Sequence, residues 1–150
     1  MSGWAARLLT GALLSASILA GCGSGGGDAL TKAEFVKQAN AICARGERTK
    51  DTALEAFFRE NQQTQLQKSD EEGLVTEVAL PPIQTMTEEL AELAPPADEK
   101  KATGAIVGGY EAAAREIERN PAIVISSSAS PFAKANKLAA RYGLETCAEL

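Results

Sequence analysis

The segment TKAEFVKQANAIC, residues 31–43, has the clearest helix-start pattern in this chain and predicts a helical fold. Thr31 and Glu34 are spaced as a capping box, in which each residue bonds a backbone N–H group of the other at the start of a helix. Leu30 and Phe35 have the spacing of the hydrophobic staple that accompanies such a start. The segment therefore predicts a first helix with a well-defined beginning.

Apolar residues recur along this segment at helical spacing, and they predict the buried side of the helix. They are Phe35, Val36, Ala39, Ile42 and Cys43. Gly46 weakens the pattern, which resumes at Ala53 and continues to Phe58. One long helix and two shorter pieces both fit these residues.

A second helix is predicted from about Asp70 to Leu93. Pro81 and Pro82 must kink or split it, because neither has an N–H group to donate and each disfavours helix in the preceding residue. The polar run 61–69 before it reads as an exposed connection or a frayed helix end. Its apolar set is Leu74, Val75, Val78, Ile83, Met86, Leu90 and Leu93.

A third helix is predicted over residues 97–119. Gly104 and Gly108 form a small-x-x-x-small pair, which we interpret as close packing in a soluble bundle because the charged residues around it exclude a membrane span. This small-residue stripe favours a tightly closed core. The predicted core positions are Ala102, Ile106, Gly109, Ala113 and Ile117.

The last helix has signals at both ends. Ser130 is placed as an N-cap with Pro131 at the first helical position, and Gly143 fits a left-handed C-terminal cap. Phe132, Ala135, Leu138, Ala139 and Tyr142 are its predicted buried side. Together these patterns predict an all-α domain over residues 31–150, an up-and-down bundle of about four helices.

Residues 1–22 carry an export signal. Arg7 precedes an apolar run from Leu8 to Ala20, which is too short to span a bilayer comfortably. Leu19-Ala20-Gly21-Cys22 resembles the lipobox of bacterial lipoproteins, in which the chain is cut before a cysteine that carries a diacylglycerol. The resemblance implies a signal peptide over 1–21, a lipid on Cys22 and a flexible tether to residue 30. A membrane helix that is not cut and a signal that releases a soluble protein are the alternatives.

Two cysteines remain if Cys22 is lipidated. An even pair outside the cytoplasm is best interpreted as one disulfide, here joining Cys43 in the first helix to Cys147 at the C-terminal end. Such a bridge would link the two ends of the domain. A free redox thiol and metal ligation are the alternatives, although neither cysteine lies in a C-x-x-C motif and the chain has no histidine.

Both ends of the domain also resemble a family of small exported helical proteins from high-GC Gram-positive bacteria. The resemblance rests on residues 32–43 and on the pattern from Pro131-Phe132-Ala133 through Tyr142-Gly143-Leu144 to Cys147. It covers the middle of the chain poorly. It implies the all-helical fold and the disulfide, and it implies no activity.

Composition excludes several functions. The chain after residue 21 has 14 basic and 20 acidic residues, a net charge of −6, which argues against binding to nucleic acid. The absence of histidine excludes histidine-based nucleophile systems and the common zinc motifs. Glu88, Glu89 and Glu92 could serve acid–base chemistry or calcium, but their spacing is typical of a solvated helix face. We therefore predict no catalytic residue, no metal site and no cofactor.

Lys134, Lys137 and Arg141 lie opposite the buried side of the last helix and form a basic ridge. The ridge could contact an anionic surface such as lipid headgroups, although an ordinary solvated face explains it equally simply. The sequence predicts a lipid-anchored protein on the extracytoplasmic face of the cell membrane, a non-catalytic interaction module for an envelope protein. A small-ligand carrier or sensor with an apolar interior is the alternative.

Overall fold

Helix α1 (Lys32–Asn61) begins directly after Thr31, the first residue of the capping box. The structure is a computed structural model that describes residues 29–61 and 68–150. The Thr31 N–H donates to Glu34 Oε2 at 2.9 Å, and the Glu34 N–H donates to Thr31 Oγ1 at 3.3 Å. The helix is continuous through Gly46, which decides between the two alternatives. The predicted signal peptide, Cys22 and most of the tether lie outside the described residues, as does most of the connection predicted over 61–69.

The second helical region changes its hydrogen-bond register where the sequence predicts a break. Helix α2 (Lys68–Gly73) leads into a π-helical segment, Leu74–Ala79, and then into α3 (Leu80–Glu92). The Leu80 N–H donates to the carbonyl of Val75, five residues earlier. Pro81 and Pro82 occupy the first turn of α3, where their missing N–H groups cost least. The backbone stays right-handed helical at Gly73, Ala79 and Leu80, so the prolines shift the register and do not end the helix.

Helices α4 (Lys100–Arg119), α5 (Ala122–Ser126) and α6 (Ala133–Tyr142) follow, with a 3₁₀ turn at Cys147–Glu149. The predicted C-terminal cap of the last helix is present, but the predicted N-cap is wrong: the helix begins at Ala133 with Phe132 as its N-cap, and Ser130 stabilises the turn before it. Ser130 Oγ accepts from the Phe132 N–H at 3.1 Å. Gly143 has a φ of 99°, and the Leu144 N–H donates to the Ala139 carbonyl at 2.9 Å, as in a Schellman cap.

The long helices pack as a bundle in the order α1, α3, α4 and α6, each antiparallel to the one before it. The Leu30 N–H donates to the Ala94 carbonyl at 3.2 Å, which places the start of α1 beside the end of α3. This confirms the predicted all-α bundle, and within residues 29–61 and 68–150 the chain forms helices and no strand. Among the described residues, no helix is long and apolar enough to cross a membrane. The buried cluster contains Phe35, Ala39, Ile42, Cys43, Leu80, Ile83, Met86, Leu90, Ile106, Tyr110, Ala113, Ala114, Ile117, Phe132, Ala135, Ala139, Leu144 and Cys147.

Close helix packing occurs at different glycines from those predicted. A Cβ on Gly46 would lie 2.8 Å from Met86 Cβ, so α1 and α3 approach each other here because residue 46 has no side chain. A Cβ on Gly109 would lie 3.0 Å from that of Ala135 in α6. Gly104 and Gly108 have no such neighbour within 4 Å. The interpretation of Gly104 and Gly108 as the packing pair was therefore wrong, because neither residue lies on the side of α4 that contacts α6 through Gly109.

The predicted disulfide joins Cys43 to Cys147, whose Cα atoms are 5.1 Å apart. Asn40, one turn earlier in α1, holds both sides of the C-terminal turn: its Oδ1 accepts from the Thr146 N–H at 3.1 Å, and its Nδ2 donates to the Gly143 carbonyl at 3.4 Å. The buried Tyr110 hydroxyl donates to the Cys147 carbonyl at 2.6 Å. Three side chains from two helices thus fix the end of the domain.

Candidate functional site

A cavity of about 350 Å³ lies where α1, the π-helical segment and α4 meet the loop before α6, and it is partly open to solvent. An engineered cavity of about 150 Å³ is enough to bind benzene, so this volume is sufficient for a small organic molecule. It is also at the lower end of the range found for ligand pockets. Its walls are formed by Glu47, Lys50, Val75, Ala79, Leu80, Ile83, Ile117, Val124, Ser127, Ala129, Ser130, Pro131, Phe132 and Leu150.

Most of the cavity wall is apolar, because core residues of two helices and of the loop before α6 turn one side toward it. Ile83 in α3, Ile117 in α4 and Phe132 before α6 are buried members of the main core. Val75 and Ala79 belong to the π-helical segment, whose wider turn places them at the cavity. Such segments occur often at functional sites. The wall therefore suits an aliphatic or aromatic ligand.

Two charged side chains form the polar part of the wall. Lys50 Nζ lies 2.6 Å from Glu47 Oε2, an i,i+3 pair in α1, and the side chains are only 23% and 27% exposed. The other carboxylate oxygen, Glu47 Oε1, is buried and has no hydrogen-bond partner in the protein. Ser127 Oγ and Ser130 Oγ each accept a backbone N–H, from Ala129 and from Phe132.

The polar groups of the cavity are few. Its side chains include two hydroxyls and one ion pair, with neither histidine nor free thiol among them. Across residues 29–61 and 68–150, no group of three or more His, Cys, Asp or Glu side chains is placed to hold a metal ion. The arrangement can bind a molecule and exclude water from it, which is the chemistry of a binding site.

The sequence did not predict this cavity, although it identified several core residues in the cavity wall and the two prolines beside it. It assigned Ile83, Ile117 and Phe132 to the core without showing that their packing leaves space between them. It identified Pro81 and Pro82 as a disturbance, but the resulting π register cannot be derived from the residues alone. The i,i+3 spacing of Glu47 and Lys50 was the one available signal for the polar wall.

The residues that the sequence did single out lie elsewhere. Lys134, Lys137 and Arg141 are all exposed along α6, and in the described part of the chain none of them joins an ion pair. Their contact with an anionic surface stays a prediction. Glu89 pairs with Arg45 across the α1–α3 interface, while Glu88 and Glu92 are exposed.

A second polar cluster joins three helix ends near residue 30. Lys32 Nζ lies 3.2 Å from Glu99 Oε1 and 4.5 Å from the centre of the Tyr142 ring. Tyr142 packs edge-on against Phe35, with ring centres 5.9 Å apart. The Tyr142 hydroxyl is close enough to affect the Glu99 carboxylate, although their geometry falls short of a well-formed hydrogen bond. The Tyr142 hydroxyl, followed by the Lys32 ammonium, lowers the pKa of Glu99. Burial of the Tyr142 hydroxyl, followed by the nearby Glu99 carboxylate, raises the pKa of Tyr142.

We expect acid to destabilise the domain through Glu99 and Glu34. Hydrogen bonds from Thr31 lower the pKa of Glu34 from its ordinary value of 4.5, and the pKa of Glu99 is lowered as well. A carboxyl with a lowered pKa in the folded state contributes stability above its unfolded pKa and loses it as the pH falls through the folded value. The melting temperature should therefore decline below about pH 4.5.

The matched variants are Glu34→Gln and Glu99→Gln, with Glu118→Gln on the exposed side of α4 as control. We expect the first two to flatten the dependence of melting temperature on pH between about pH 3 and 6, whereas the control keeps it. Glu34→Gln retains a neutral acceptor for the capping box, so its effect reports charge. Equal pH profiles for all three variants would show that these two carboxylates do not carry the acid sensitivity.

The chain matches no protein-family model, no curated protein and no solved structure.

Proposed function

We propose that this chain is an exported lipoprotein, anchored by a lipid on Cys22 to the extracytoplasmic face of the cell membrane. The lipobox pattern in the sequence supports the anchor, and the Cys43–Cys147 disulfide supports an oxidising compartment. The described domain begins seven residues after Cys22. Seven extended residues span at most about 25 Å, so such an anchor would hold the domain next to the bilayer.

For the domain we propose a non-catalytic binding function, with a small apolar molecule as ligand. The observation that carries this proposal is the apolar cavity of about 350 Å³ between α1, the π-helical segment and Phe132. The alanine-rich and glycine-rich stripe of α4 favoured a tightly closed interior, and α4 does pack closely on α6 at Gly109, but the cavity lies beside Ile117, two turns further along α4. The cavity therefore favours a carrier or sensor over a closed docking module.

Docking of an envelope protein is the second candidate function. Among the residues that the structure describes, three large apolar side chains are more than a third exposed, which is unfavourable for an isolated domain: Phe58 at 43%, Val124 at 44% and Ile125 at 40%. All three lie on α1 or α5. Contact with a partner would remove them from water.

The two candidate functions differ in which molecule should stay bound to the protein when it is extracted mildly from the membrane. We expect native mass spectrometry of the mildly extracted protein to show one small molecule per chain. Ala129→Trp places an indole at the cavity wall and should abolish this mass difference, because Ala129 is exposed in the loop that borders the opening. Ala102→Trp, on the exposed side of α4, is the control and should retain it. A stoichiometric protein in place of a small molecule would instead support docking.

We expect Cys22→Ala to remove the protein from the membrane fraction. Without the cysteine sulfur there is no attachment point for the lipid, and the protein should appear in the medium or as uncut precursor. Fractionation followed by immunoblotting measures this, with Cys43→Ala as the control that keeps the proposed anchor. Unchanged membrane association of the Cys22→Ala protein would refute the lipid anchor.

A further inference from the structure

The ion pair in the cavity wall indicates the chemical class of the ligand, an inference that rests on the proposed small-ligand function. Glu47 and Lys50 are half-buried and neutralise each other at 2.6 Å. A ligand that brought a net charge beside them would leave one charge without a partner near an apolar wall. Unpaired charges in such surroundings are strongly unfavourable. The pair therefore discriminates against both anionic and cationic head groups.

The same wall still has hydrogen-bonding capacity. Glu47 Oε1 is an acceptor without a partner, but it has almost no accessible surface and a ligand in the cavity does not reach it. The Lys50 ammonium has three donors, of which the pair with Glu47 Oε2 uses one. Ser127 and Ser130 accept backbone N–H groups through their oxygens, and this leaves their hydroxyl protons available as donors. An uncharged head group that accepts hydrogen bonds, such as a hydroxyl or an amide carbonyl, would use these donors without adding charge.

We propose that the cavity binds a neutral amphiphile, an aliphatic molecule whose uncharged head, an alcohol or a primary amide, lies beside Glu47 and Lys50. Its chain contacts Ile83, Ile117 and Phe132, and its burial there provides most of the affinity. The ion pair acts as a selectivity element. It accepts a neutral head and rejects charged heads on the same chain.

A matched series of eight-carbon probes tests the selectivity: 1-octanol, octylammonium and octanoate, all at neutral pH and below their micelle concentrations. The protein is the chain from residue 22 with Cys22→Ser, exported so that the disulfide forms, since the whole buried cluster lies between Phe35 and Cys147. Dissociation constants come from amide NMR titration or calorimetry. We expect octanol to bind at least tenfold more tightly than either charged probe.

Two charge variants test whether the ion pair causes the selectivity. Lys50→Met leaves the Glu47 carboxylate without its partner and should raise the affinity for octylammonium at least tenfold. Glu47→Gln leaves the Lys50 ammonium unpaired and should do the same for octanoate. Glu89→Gln, which breaks the Arg45–Glu89 pair between α1 and α3, is the matched control and should leave the probe order unchanged.

The outcomes separate this inference from the function on which it rests. If none of the three probes binds the unsubstituted cavity, the small-ligand function itself fails. If a charged probe binds as well as octanol or better, the cavity is a binding site but the neutral class is wrong. If octanol is preferred and neither charge variant changes the order, the ion pair does not set the selectivity and the inference is overturned.

Discussion

Replacing both Cys43 and Cys147 with serine is expected to lower the free energy of unfolding by about 4–5 kcal/mol. The bridge joins residues 104 positions apart, so the reduced chain regains nearly the whole conformational freedom of the domain when it unfolds. A small domain has only about 5–15 kcal/mol of stability in total. The change should therefore be the largest that two conservative substitutions produce in this protein.

Urea unfolding followed by circular dichroism measures this loss. We expect the double variant to remain helical in buffer, because Asn40 and Tyr110 still hold the C-terminal turn through their hydrogen bonds to its backbone. The unsubstituted protein in excess reductant is the control and should show a comparable loss. A difference of less than about 1 kcal/mol would mean that the ends of the unfolded chain are already held close together.

Gly46→Val is expected to destabilise the domain by about 3 kcal/mol. A Cβ at position 46 would lie 2.8 Å from Cβ, 2.8 Å from Cγ and 2.9 Å from Sδ of Met86. The thioether end of Met86 can move, but its Cβ is fixed to the backbone of α3, so the two helices must separate. The gain in helix propensity on replacing glycine is less than about 1 kcal/mol and does not offset this cost.

Gly104→Val is the matched control, since Gly104 is exposed on α4 and a Cβ there meets no neighbouring atom within 4 Å. We expect it to change the free energy of unfolding by about 0.5 kcal/mol or less, with a small gain from helix propensity. Urea unfolding of both variants at one pH gives the comparison. Equal destabilisation at the two positions would show that α1 and α3 do not make their close approach at Gly46.

The parts of the fold that local chemistry determines could be predicted from the sequence. The capping box at Thr31 and the left-handed Gly143 each depend on a few neighbouring residues, and both are present, whereas the last helix begins three residues after the predicted N-cap Ser130. The disulfide followed from the number of cysteines and their export context. Helical periodicity likewise placed most of the buried residues, with Ala102 an exposed exception.

The features that depend on how helices meet could not be predicted in this way. Glycine lowers helix propensity equally at positions 46 and 104. Only the packed bundle shows that a Cβ at position 46 would contact Met86 and that a Cβ at position 104 would meet no atom within 4 Å. Tyr110 was missed although it has helical spacing with Ile106 and Ala113, and only its hydrogen bond to a backbone carbonyl 37 positions away lies beyond what periodicity can predict. The cavity is space that remains after packing, and periodicity does not report how completely apolar residues fill the volume between them.

The bond between Cys43 and Cys147 makes a covalent ring of everything between them. That ring contains α2, the π-helical segment, α3, α4, α5, α6 and the larger part of α1. A protease that cuts one peptide bond in the ring opens it without releasing a fragment, so the cut protein keeps its mass on a non-reducing gel. At the proposed location on the outer face of the cell, where peptide bonds are attacked and lost pieces cannot be replaced, a domain closed in this way would survive a first cut within the ring with all of its helices still attached.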